Sequence, residues 1–228
     1  MRVVPSLPKL IFFFIVGITA FASYLFGSLL GSLALGIIFF LIINVIIHRV
    51  LGLFMPPREA GYTDQDNLLA YDIQSMYDIL FFEMILHTYL LPYPLERLFD
   101  KMMGMKLGAN SYPANSYLST PYHFISAGEN VIFGAGAAVS PHTYESGGKL
   151  TIKPIKIGNN VTIGMNSVIM HGVTIEDGGI VAAGAIVTKD THIKSGEVWA
   201  GIPAKMIRDS KGSKPKAKTK PKSRKKYF

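Results

Sequence analysis

Residues 155–190 read IKIGNNVTIGMNSVIMHGVTIEDGGIVAAGAIVTKD, and a branched aliphatic residue recurs in them every sixth position, at Ile157, Ile163, Ile169, Ile175, Val181 and Val187. Ile193 continues the series downstream, and Phe133 and Val139 stand in the same phase upstream. Small or branched residues lie two positions before these, at Val161, Ser167, Val173, Gly179, Ala185 and Thr191, and Gly follows the repeat position at Gly158 and Gly164. Such a period is neither that of an α-helix nor that of an alternating strand. It describes a flat-sided solenoid in which each unit supplies a short strand and a turn, turns its aliphatic inward and pairs with the coils above and below. The expected fold class is mainly β, a parallel β-helix.

Between Val139 and Ile157 the series breaks. Residues 140–156 hold Pro141, Gly147, Gly148 and Pro154, which predicts a loop projecting from the solenoid. A site needs side chains carried off a scaffold, and His142 and Glu145 lie in this loop.

Upstream the chain changes solvent. Between Lys9 and Arg49 run 39 residues without Asp, Glu, Lys or Arg, whereas about 20 apolar residues already span a bilayer. Gly27 and Gly31 with two serines divide the stretch, predicting a transmembrane helical hairpin over residues 1–55. A secretory signal would be shorter and would end in cleavage chemistry. Arg2 and Lys9 precede the first span and Arg49 and Arg58 follow the second, so both termini and the downstream domain are expected in the cytoplasm of a multi-pass membrane protein. Residues 56–103 form a helical linker: Thr63 and Asp66 make a capping box, and Leu69, Ile73, Met76, Leu80 and Met84 recur at helical spacing. Its later part, up to Pro92, is expected either in the membrane interface or against the β domain.

The net charge of +8 resides in the tail. Residues 209–228 hold nine Lys or Arg and one acid, and the other 208 residues hold fourteen of each sign. A basic, Pro- and Ser-interleaved tail next to membrane helices suits anionic lipid head groups or plain solvation; no nucleic-acid fold accompanies it. The absence of Cys excludes disulfides and thiolate metal sites.

The repeat stretch followed by WAGIPAKMIR resembles the hexapeptide-repeat acyltransferases, over about residues 104–208. The segment VSPHTYESGGKLTIKPIKIG further resembles the β-helix domain of polylysine-synthetase-like enzymes. The resemblance implies a left-handed β-helix, a homotrimer, and acetyl-CoA or another acyl-CoA as co-substrate bound between adjacent solenoids, with no metal. It implies that His142 is the catalytic histidine, a neutral imidazole that accepts the proton of an attacking hydroxyl or amine and returns it to the leaving thiolate. Glu145 would orient that ring. Resemblance to the sugar O-acetyltransferases maps Ala183, Thr188, Lys189, Lys205 and Arg208 to the CoA: small residues admit the pantetheine and cations neutralise phosphate. Two departures are visible, Thr162 in place of the family's frequent Trp and Met165 in place of a small polar residue.

The expected function is acyl transfer, with acetyl-CoA as donor, to a hydroxyl or amine of a membrane-associated acceptor such as a lipid-linked sugar. A non-catalytic trimeric scaffold is the alternative. The β-helical carbonic anhydrases also resemble this region and bind zinc through three histidines. His123, His142 and His171 would be the candidates, but Met165 stands where that motif places a histidine and His171 falls one residue out of step.

Overall fold

The computed structural model describes residues 7–25, 29–54, 65–78, 93–113, 116–118, 121–146, 149–209 and 211–213. Four α-helices come first: α1 (Leu7–Leu25), α2 (Leu29–Phe54), α3 (Gln65–Asp78) and α4 (Tyr93–Met102). α1 packs along α2. Within α2, Gly31–Phe54 is long and apolar enough to cross a membrane by length and composition. Large apolar side chains of both helices, among them Phe13, Phe14, Phe21, Ile38, Phe39 and Leu53, stand exposed.

α3 contains Asp66, Leu69, Ile73 and Met76 of the expected helical pattern; Thr63 of the capping box and the apolar continuation over residues 79–91 lie outside the described residues. α4 falls within the helical linker expected over residues 56–103, and Pro94 does not break it. Pro94 occupies the first turn of the helix, where a missing N–H costs nothing.

The rest is a solenoid. Three parallel sheets form its faces: β1 (Lys106–Leu107), β3 (Ile125–Ala127), β8 (Ile155–Ile157), β11 (Thr174–Ile175) and β14 (His192–Ile193) on the first; β4 (Ile132–Phe133), β9 (Thr162–Ile163), β12 (Ile180–Val181) and β15 (Val198–Ala200) on the second; β2 (Tyr117–Leu118), β5 (Ala138–Val139), β10 (Val168–Ile169) and β13 (Ile186–Val187) on the third. A final strand, β16 (Lys205–Arg208), turns back antiparallel on β15.

Register explains the repeat. Ile157 pairs with Ile175, Ile163 with Val181 and Ile169 with Val187, so three six-residue units make one coil. Ile163, Ile169, Val181, Val187 and Ile193 are fully buried, each contributing about 1.5–3 kcal/mol relative to exposure. Gly164 is required by close approach: a Cβ there would stand 2.3 Å from the Ala183 backbone nitrogen of the next coil. A second six-residue series marks the corners. Asn130, Gly136, Asn160, Asn166, Gly172, Gly178, Gly184, Asp190 and Gly196 all have positive φ, a region that Gly, Asn and Asp tolerate best.

The segment expected as a loop is a β-hairpin. β6 (His142–Glu145) pairs antiparallel with β7 (Lys149–Ile152), His142 opposite Ile152 and Glu145 opposite Lys149. Alternating HTYE and KLTI supply two strands, and Leu150 and Ile152 are fully buried beneath α3 with Tyr71.

Candidate active site

The hairpin leaves the solenoid at the corner between the third sheet and the first, after β5, and rejoins it at β8. Two further coils pass the same corner, at His171 between β10 and β11 and at Thr188 to Asp190 between β13 and β14. Backbone bonds stack them: Ser140 N donates to Ile169 O at 2.9 Å and Asp190 N to His171 O at 3.1 Å. Successive coils are therefore about 4.8 Å apart here.

His142 opens β6. Its ring lies 4.9 Å from the Tyr71 ring of α3, centroid to centroid, at 51°, and Ser140 Oγ stands 3.4 Å from its Nδ1. Glu145 ends the same strand, and its carboxylate accepts a hydrogen bond from Lys189 Nζ. This pairing, together with the charge of Lys189, holds the Glu145 carboxyl below the usual carboxylate range. The expected orienter of the histidine is thus engaged by a lysine, and the polar side chain at Nδ1 is Ser140. That residue was missed because a lone serine two positions before a histidine carries no pattern. Tyr71 was missed because 71 positions separate it from His142.

His171 is the other unanticipated feature. At the same repeat position, Met165, Asp177 and Lys189 are all exposed, yet His171 is 1% exposed. It lies at the root of the hairpin. Lys153, just past the returning strand, bonds both Asp190 carboxylate oxygens at 2.8 Å, and both residues flank Gly172. Neither ring nitrogen of His171 has a hydrogen-bond partner among the described residues. Burial first, then Lys153 and Lys189, pulls its pKa below the usual imidazole value against the opposing pull of Asp190 and Glu145.

The residues assigned to CoA divide between corners. Thr188 and Lys189 share the histidine corner, whereas Ala183 lies at the corner between the second and third sheets. Lys205 and Arg208 bound β16, and Ala183, Thr188, Lys205 and Arg208 are exposed. A single chain does not bring the two sets together. His123 is exposed in a short 3-10 turn against Phe124, and among the described residues no three His, Asp or Glu cluster as a metal site.

Residues 154–189 match the family model described as bacterial transferase hexapeptide (six repeats). The six-residue period of the solenoid is thus similar to that of the bacterial transferase hexapeptide over these residues. Galactoside O-acetyltransferase of Escherichia coli (strain K12) is 36% identical over 112 residues, which cover 46% of this chain and 54% of that protein. Gamma carbonic anhydrase 1, mitochondrial, of Arabidopsis thaliana is 38% identical over 107 residues, covering 46% and 34%. The 2,3,4,5-tetrahydropyridine-2,6-dicarboxylate N-acetyltransferase of Staphylococcus aureus (strain bovine RF122 / ET3-1) is 42% identical over 85 residues, covering 37% and 33%. The chain thus spans about half the length, or less, of these curated relatives. Among solved structures, a galactoside acetyltransferase in complex with coenzyme A aligns over 56% of this chain and 78% of that one, with 27% identity and a TM-score of 0.43.

Proposed function

We propose that the chain is a membrane-anchored acyltransferase that moves an acetyl group from acetyl-CoA to a hydroxyl or amine of a membrane-associated acceptor such as a lipid-linked sugar. One observation carries this reading. Among the described residues the solenoid bears one inserted hairpin, at one corner, and that hairpin opens with His142 held between Tyr71 and Ser140. The names of the similar O- and N-acetyltransferases support the reaction class.

The chemistry asked of His142 is proton transfer. With Nδ1 turned to Ser140 Oγ, Nε2 takes the proton from the acceptor O–H or N–H as the new acyl bond forms, and returns it to the departing thiolate as the thioester bond breaks. The donor supplies the activated acyl group. Exposed Ala183 leaves backbone open to approach by a pantetheine, and Lys205 and Arg208 supply charge for phosphates. Because these stand at a different corner from His142, a complete site takes its two halves from neighbouring copies, which favours a homotrimer.

Anchoring is supported by Gly31–Phe54 and by the exposed apolar side chains of α1 and α2, a contiguous surface that water would penalise. The two helices then form a transmembrane hairpin with both chain ends in the cytoplasm, where the basic tail meets anionic lipid.

The test is acetyl transfer from acetyl-CoA by the detergent-purified full chain across sugar, amine and lipid acceptors. His142→Ala should lower turnover by about 10²–10⁴ without unfolding the solenoid. A folded wild-type chain that neither binds nor turns over acetyl-CoA would leave the trimeric scaffold as the better reading.

A further inference from the structure

The two ends of α3 do different things. At its N-terminal half, Leu68 and Tyr71 pack on Leu150 and Ile152 of β7 and on Phe124. Tyr71 faces both His142 and, at 6.3 Å, Tyr144 of β6, while Tyr144 Oη donates to Asp72 Oδ1 at 2.9 Å. The hairpin is therefore gripped by one turn of α3 through an apolar cluster, two ring contacts and a hydrogen bond.

At its C-terminal end the same helix is fastened to α2. Tyr77 Oη donates to Asn44 Oδ1 at 2.5 Å, and His48 Nδ1 lies 2.9 Å from Asp78 Oδ1. Asn44, His48, Gln74, Tyr77 and Asp78 are all buried. Asn44 and His48 are one turn apart on α2, and Gly52, a turn further on, faces Gln74. A polar stripe on an otherwise apolar helix is costly unless a partner satisfies it, and α3 is that partner. From Tyr71 to Asp78 the rise is about 10 Å.

We propose that α3 is a strut that fixes the His142 hairpin in register with the anchor helix, and that Tyr71 is the positioning residue through which it holds the histidine ring. The catalytic consequence rests on the acyl-transfer reading, whereas the mechanical link does not. A hairpin tied at about 10 Å from the polar stripe of α2 presents its histidine to acceptor groups in the lipid head-group layer. It does not follow a soluble substrate away from the bilayer.

The experiment uses the full chain in detergent micelles, with Tyr71→Leu at the hairpin end and Tyr77→Phe combined with Asp78→Asn at the anchor end. Hydrogen exchange of residues 142–152 is followed against that of β9 to β13, which reports the fold. NMR follows the His142 ring protons, and acetyl transfer is measured against pH. Tyr71→Leu should displace the His142 ring signals, through loss of the aromatic neighbour, and shift the pH profile. The anchor-end variant should speed hairpin exchange about tenfold while β9 to β13 stay protected. Hairpin exchange indifferent to the anchor-end variant, or His142 signals unmoved by Tyr71→Leu, would overturn the strut. If both responses appear but no acetyl transfer is found, the strut stands and the acyltransferase reading fails.

Discussion

Glu145, at the far end of β6, bonds Lys189, which belongs to the solenoid corner two coils further on. The hairpin consequently lies across the intervening corner and roofs His171. The attachment at Glu145 is electrostatic, and its pH dependence has a definite sign. Glu145 is held below its usual range by Lys189, so its contribution is full above the unfolded glutamate value of about 4.3 and is lost as pH falls through the lower folded value. Hydrogen-exchange protection in residues 142–152, corrected for the intrinsic pH dependence of amide exchange, should be flat from neutral pH down to about 4.3 and fall below it, and Glu145→Gln should abolish that fall. A hairpin that loosens at neutral pH in wild type would show that Lys189 does not hold it.

His171 gives the opposite end of the acid range. Its folded pKa lies below the unfolded one, chiefly through burial, so protonation favours the unfolded chain. Stability is complete above about pH 6.5 and declines as pH falls from there toward the folded value. His171→Leu should flatten thermal stability as pH falls below about 6.5, removing a slope of up to about 1.4 kcal/mol per pH unit. Unchanged slopes in the variant would mean that the imidazole reaches water.

Asp100 of α4 is 2% exposed, with Oδ2 lacking a hydrogen-bond partner among the described residues. Burial, then Glu96, pushes its carboxyl up to about 8. The raised value means the protonated acid is the folded form, so nothing is lost below about pH 3.9 and stability falls as pH rises from there to about 8. Asp100→Asn should remain flat across that window and be more stable than wild type at pH 8, by on the order of a few kcal/mol, in a pH series of thermal unfolding.

Two glycines separate contact from conformation. A Cβ at Gly164 would meet backbone at 2.3 Å, whereas at Gly184, with φ +66°, nothing lies within 4 Å. Gly184→Ala should cost roughly 1–2 kcal/mol, the left-handed penalty, and Gly184→Asn less. Gly164→Ala should cost clearly more than Gly184→Ala, read by thermal unfolding, because two coils must separate.

The solenoid was legible because its core obeys a local rule: Ile157, Ile163, Ile169, Ile175 and Val181 each satisfy the same inward position, and chain order alone then determines which strands stack. The hairpin was readable in principle. Ser146-Gly147-Gly148 between HTYE and KLTI is a three-residue, Gly-containing hairpin signal, outweighed by Pro141 and Pro154. The ring contact of Tyr71 with His142, the Ser140 hydroxyl and the burial of His171 were not readable, since each depends on how α3 and the hairpin settle on the coils. The long apolar helices α1 and α2 and the helical spacing of α3 followed from hydropathy and periodicity, which need no tertiary partner.

β16 has a consequence at the end of the solenoid. A parallel solenoid finishes with open strand edges, each a template for another chain. Here β16 folds back to occupy the β15 edge, and Gly201 O and Ala204 N bond Ile186 of β13. The edge of β14 carries His192 and Lys194 on either side of its buried Ile193. Residues 201–208 thus act as a stopper, and a chain cut at residue 200 would be expected to stack end to end into filaments.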